Sequence, residues 1–309
     1  MAGTYKTEII LELFKKRWDP ETRNLRDPVV STAEIREEHA AYRKRRDEPV
    51  EYTNSPAFFK DILRSTMSRN KIWPTEVFEA GFTARQVTGD GRCFEFMALA
   101  PGQTEPFPSV APPPPAGMEP HRISSVSMPL ASRRLGRPDE PWLVQVSVRL
   151  HLVETYFALF SSRKASVRQV DHLQNALKLR KTEIDALFLG IEESPSGLTT
   201  EFIITCEAKR AGEEIIAEQV MQQVAAVFKL INVTQAVAVP IALKSLPGSR
   251  VQIIEFAEVR REDATTLEAL PIVNQALFEL VPPVPGIGGK AAEAASQRNL
   301  VTDADVGDL

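Results

Sequence analysis

The chain has 309 residues, a formal net charge of −4, 25% charged and 7% aromatic side chains, and only two cysteines. That length allows one large or two ordinary domains with a real apolar core, and no run of about 18 apolar residues offers a membrane span. The N-terminus lacks the basic-then-apolar layout of a secretory signal, Cys93 and Cys206 are too isolated for a disulfide framework, and no pair among His39, His121, His151 and His172 has zinc-ligand spacing. The expectation is therefore a cytoplasmic protein with reduced thiols and no membrane partner.

Ile9, Ile10, Leu13 and Phe14 recur at helical spacing and predict a first helix. Ser31 and Glu34 form a capping-box pair that opens a second helix running toward Arg43–Arg46. Asn54 or Ser55 caps a third, with Pro56 at its first position and Phe58, Phe59, Ile62 and Leu63 on one face. The other face carries Lys60 and Arg64, with Arg69, Asn70 and Lys71 just beyond. Phe82–Val87 and Cys93–Met97 then predict two strands joined by Gly89-Asp90-Gly91, a hairpin signal. Three helices followed by a hairpin resemble a winged helix, which implies an α+β DNA-recognition domain over residues 1–100. Its third helix would enter a major groove, making Lys60, Arg64, Arg69, Asn70 and Lys71 the candidate DNA contacts.

Residues 101–120 hold prolines at 101, 106, 108, 112–115 and 120, and read as a semi-rigid linker. A second domain follows over residues 121–281. Val144, Val146, Val148, Leu150 and Leu152 alternate, predicting a strand or extended entry. Val153, Tyr156, Phe157 and Phe160 then take helical spacing on a helix that carries Glu154. From His121 to Lys181 there are eleven Lys or Arg against four acids, a basic stretch suited to a polyanion. Next come a strand from Glu183 to Gly190, a turn through Glu193–Gly197, and a returning strand from Leu198 to Lys209. A helix from Glu213 to about Leu230 has an apolar stripe of Ile216, Val220, Val224, Val227 and Ile231. Ala236–Leu243 and Val251–Val259 supply two more strands, and residues 282–309 read as a flexible tail. The fold class implied is α/β, a mixed β-sheet flanked by helices.

Two strands in that order carry the chemistry. Side chains alternate along a strand, so Glu207 and Lys209 share a face, and Asp185 on the neighbouring strand would complete a pair of carboxylates beside an ammonium. Acids in such apolar strands are costly unless paired or metal-bound, so the trio points to a metal-dependent hydrolytic site. Asp185 followed by Glu207-Ala208-Lys209 at the end of an apolar strand, then a helix, resembles the core of the PD-(D/E)xK nuclease superfamily over residues 150–245. Ile184 stands where that pattern often has proline.

The resemblance implies a restriction endonuclease-like fold in which Asp185, Glu207 and the Ala208 carbonyl bind Mg2+, and Lys209 orients the attacking water. Glu154 resembles the additional helix acid of many members. Gln219, with Gln222 and Gln223 beside it, resembles a glutamine that orients the site in some members. The function implied is a Mg-dependent type II restriction enzyme acting on double-stranded DNA, as a homodimer if its target is palindromic. The alternatives are a repair or recombination nuclease on the same core, and a non-catalytic winged-helix DNA-binding regulator.

Overall fold

The computed structural model describes residues 5–46, 57–64, 69–87, 90–108, 111–179, 182–267 and 269–288. The chain divides into two units, Met1–Ser109 and Val110–Leu309.

In the first unit, α1 (Tyr5–Lys15) buries Ile9, Ile10, Leu13 and Phe14, the four residues of its apolar stripe. A short ribbon of β1 (Trp18–Asp19) and β2 (Asn24–Leu25) leads to β3 (Val29–Ser31). Ser31 and Glu34 then start α2 (Thr32–Arg46) reciprocally: Glu34 Oε2 accepts from the Ser31 N–H at 2.8 Å, and Ser31 Oγ accepts from the Glu34 N–H at 3.2 Å. Three short helices follow, α3 (Phe58–Arg64), α4 (Arg69–Ile72) and α5 (Thr75–Glu79). The expected cap and first turn of the third helix, at 54–56, lie outside the described residues. Strands β4 (Phe82–Gln86) and β5 (Arg92–Ala98) pair antiparallel, and β3 joins the far side of β5 to give the order β3-β5-β4. Their core is aromatic: Phe59 stacks on Phe94 at 5.0 Å, and Trp73 meets Phe107 edge-on at 5.2 Å.

Phe107 belongs to the proline-rich segment, read from the sequence as a semi-rigid linker over 101–120, and that segment is packed at both ends. Proline removes N–H donors but leaves carbonyl acceptors, and these are used: Thr83 Oγ1 donates to Pro106 O at 2.5 Å, and Gln252 Nε2 to Pro112 O at 3.1 Å. One end of the segment packs on the first unit and the other on the second.

In the second unit, β6 (His121–Ser124) is followed by α6 (Leu130–Arg134), α7 (Glu140–Arg149) and α8 (Leu152–Leu159). Then come β7 (Val167–Lys178), β8 (Glu183–Glu193), β9 (Thr199–Lys209) and α9 (Ala217–Val227). Strands β10 (Val237–Leu246), β11 (Arg250–Phe256), β12 (Val259–Arg260) and β13 (Ile272–Val281) complete it. Eight strands form one mixed sheet in the order β6-β13-β11-β10-β9-β8-β7, with β12 on β10. The β9–β10 and β6–β13 pairs are parallel and the rest antiparallel. Helices flank it on both sides: Val146, Val153 and Phe157 of α7 and α8 pack with Phe188 and Ile204, while Val220, Val224 and Val227 of α9 pack with Ile184 and Ile203. No helix among the described residues is long and apolar enough to cross a membrane.

Four sequence expectations change here. Val144–Arg149 lies in α7 and Leu152 opens α8, because Asp139 caps α7 by accepting from the Trp142 N–H at 2.9 Å, and Leu143, Val146, Ser147 and Leu150 fall at helical spacing. The basic stretch around His172 is a strand, β7. Ile231 lies past the end of α9 and is 97% exposed, so the stripe stops at Val227. The tail expected from residue 282 begins as packed chain: Val284 and Ile287 are fully buried. Glycine permits that packing, since a Cβ on Gly288 (φ 89°) would sit 2.3 Å from the Leu246 carbonyl oxygen.

Candidate active site

The β8–β9 ladder ends at the pair Ala186 and Cys206, and the next residues outward are Asp185 on one strand and Glu207 on the other. In place of another ladder bond, Asp185 Oδ2 accepts from the Ala208 N–H at 2.7 Å. On its other side β9 is held by β10 in parallel register, Ala242 with Glu207 and Lys244 with Lys209. The strand end that carries the acid and the lysine is therefore fixed by neighbours on both edges.

Glu207 is 4% exposed and both of its oxygens are held. Lys209 Nζ meets Oε1 at 2.6 Å, as expected for two residues sharing a strand face. Gln223 Nε2 of α9 donates to Oε2 and also to the Glu183 carbonyl at 3.0 Å, joining helix, β8 and β9 through one amide. Lys209 Nζ has a second partner, Glu140 Oε1, at 2.8 Å. Asp139 and Pro141 in the first turn of α7 place that glutamate.

Three carboxylates thus gather round one ammonium, and the protonation equilibria show the imbalance. Burial, then the Glu207 charge, pushes the Asp185 carboxyl up to about 8, although the Ala208 N–H and Lys209 pull it back. Burial raises Glu207 as well, against the pull of Lys209. For Lys209 burial acts downward, but Glu207 and Glu140 outweigh it and its value rises. The Cys206 thiol, wholly buried beside both acids, is raised well above its usual value and is inert as a nucleophile.

A hard divalent cation suits this donor set. Asp185, Glu207 and the Ala208 carbonyl are oxygen ligands, and a cation would relieve two acids held unfavourably close in a dry site. Among the described residues no group of three or more His, Cys, Asp or Glu side chains is arranged to hold a metal ion, so the carbonyl and waters would have to complete any shell.

The remaining candidates fall elsewhere. Glu154 on α8 meets His151 Nδ1 at 3.3 Å, its Oε2 is buried without a partner, and no hydrogen bond or ion pair links it to the trio. Gln219 Oε1 is likewise buried without a partner, one turn before Gln223, which is the glutamine that reaches Glu207. In the first unit, Asn70 is engaged internally: Oδ1 accepts from the Phe107 N–H at 2.9 Å, and Nδ2 donates to Glu105. Lys60 is half-buried and Lys71 exposed, while the side chains of Arg64 and Arg69 lie outside the described residues. Sequence reasoning missed Glu140, although Asp139-Glu140-Pro141 is itself a helix-start signature. No protein-family model matches this chain, and no curated protein or solved structure matches it either.

Proposed function

We propose that the protein is a Mg-dependent endonuclease of restriction type, hydrolysing phosphodiester bonds of double-stranded DNA. The observation that carries this reading is the buried cluster of Asp185, Glu207, Lys209 and Glu140, in which carboxylates outnumber cations beside a backbone carbonyl. Asp185, Glu207 and the Ala208 carbonyl would hold Mg2+, which when bound polarises a phosphoryl oxygen and acidifies a coordinated water. Glu207 and Glu140 face Lys209 and favour its protonated form, which suits a hydrogen-bond donor better than a free general base. Lys209 donates a hydrogen bond to the attacking water and offsets negative charge on the phosphorane. Gln223 keeps Glu207 turned toward the cluster, and Glu140 limits the swing of the lysine.

A restriction endonuclease-like fold is consistent with the mixed sheet, its acid-bearing antiparallel pair and the parallel strand that follows the helix. In the first unit, the order helix, strand, helices, hairpin and the three-stranded sheet β3-β5-β4 support a winged-helix-like reader. A palindromic target would then be met by a homodimer.

Supercoiled plasmid incubated with Mg2+ tests the reading. The parent yields discrete fragments, Ca2+ supports binding without cutting, and Asp185→Ala or Lys209→Ala lowers the rate by about 100-fold or more. Equal cutting by either variant removes the assignment. Cutting confined to branched substrates makes it a repair nuclease.

A further inference from the structure

Among the described residues strand β7 is the outermost on its side of the large sheet, is 12 residues long, and keeps most of its side chains in water. Long edges are usually blunted by charge, because their unpaired N–H and C=O groups invite another strand. Over residues 169–177 this one has a single charged side chain, Asp171, and Gln169 Nε2 donates to it at 2.6 Å. Its protection is in the backbone. The register with β8 shifts at Val167/Gln169 and again at His172/Gln174, and Ala176 adopts the left-handed conformation at φ 50°. Those interruptions deny an incoming strand a continuous ladder, and Leu173 is the only large apolar side chain the strand exposes. What β7 presents outward is side chains.

Those side chains are neutral hydrogen-bonders set beside the candidate active site. Asn175 pairs with Ala186, the neighbour of Asp185, and Gln174 pairs with Leu187. Gln174 is exposed, and His172 Nε2 braces Asn175 Oδ1 at 2.7 Å. Lys178 follows, exposed at the end of the strand. Resting on the nuclease reading, we propose that β7 is a DNA-reading strand that enters the major groove next to the scissile phosphate. Successive residues face opposite sides of a strand, and no register shift separates Gln174 from Asn175, so only one of them meets the bases. Asn175, beside Ala186, hydrogen-bonds to a base edge, for which an amide's paired donor and acceptor match adenine, and Lys178 meets the phosphate backbone. At about 3.3 Å per residue and about 3.4 Å per base pair, His172 to Lys178 spans about 20 Å, some six base-pair steps. Bulges and a left-handed alanine are what re-aim side chains along such a strand.

Selection from a pool of short duplexes with randomised centres, by the full chain in Ca2+, tests this without requiring cleavage. The parent enriches a motif; Asn175→Ala relaxes one or two of its positions and binds the enriched duplex roughly tenfold more weakly, while Gln174→Ala, on the opposite face, leaves the motif unchanged. Lys178→Ala weakens all duplexes alike and lowers the salt slope by about 1. The same motif and affinity in the Asn175 variant overturns the proposal, and if the parent still cuts plasmid, the nuclease reading survives that result. A parent that neither cuts nor binds duplex overturns both. If Leu173→Lys converts a dimer to a monomer while the motif stays unchanged in the Asn175 variant, the edge is a protein contact and not a reader.

Discussion

Lys209 has two carboxylate partners, and they do different work. Glu207 shares its strand face, while Glu140 reaches it from the first turn of a helix 69 residues earlier in the chain. Glu140→Gln removes one restraint and one charge but keeps a hydrogen-bonding oxygen. The expected result is a fall in kcat of about 10-fold, against about 100-fold or more for Lys209→Ala, in single-turnover cleavage. Asp185 gives a pH test in metal-free protein. Its carboxyl sits at about 8 when folded and in the ordinary carboxylate range when unfolded, so between those values the folded state holds more protons. Stability therefore falls as pH rises through that window. Asp185→Asn should flatten the slope, raising Tm by on the order of 5 °C at pH 8 and leaving pH 4 nearly unchanged. Added Mg2+ or Ca2+ should raise the parent's Tm at pH 8 and leave the variant's alone. Identical melting of parent and variant at pH 8 would sink this account of the acid pair.

Helices and strands were unequally legible. The capping box at Ser31, the stripe of α1 and the β8–β9 pair were plain because each depends on neighbours in sequence. Ser31→Ala should cost about 1 kcal/mol, read in denaturant titrations as a lower midpoint at unchanged slope. α7 was read as a strand because Val144, Val146 and Val148 alternate with Gln145 and Ser147, yet Leu143, Val146 and Leu150 also recur at helical spacing, and the Asp139 cap distinguishes the two periods. Asp139→Ala removes that cap; about 1 kcal/mol of stability should go with it, and activity should fall further than folding alone explains, since Glu140 loses its anchor. Activity tracking stability one for one would refute that link. The trio was legible as acid-bearing apolar strands, but Gln223 and Glu140 were not assigned. Their roles depend on where α9 and α7 cross the sheet, and no local spacing encodes that.

At the scale of the molecule, neither the proline-rich segment nor the 282–288 stretch could be recognised as packed chain, because composition reports flexibility and not the partner awaiting it. Val284 and Ile287 are fully buried among residues from α7, β10 and β11. Ending the chain at Val281 should therefore cost roughly 3–6 kcal/mol, two buried aliphatic side chains, and lower Tm in calorimetry. An unchanged Tm would show that these residues add nothing to the second unit. The parallel register between β9 and β10 has one more consequence, and it concerns time. Glu207, Ala208 and Lys209 gain their second flank only from Ala242, Leu243 and Lys244, beyond an intervening helix. During synthesis Glu140, Asp185, Glu207 and Lys209 all emerge before that support exists. A chain stalled on the ribosome short of Leu246 carries every acid of the cluster but has β9 flanked by β8 alone, so full support of the site arrives late.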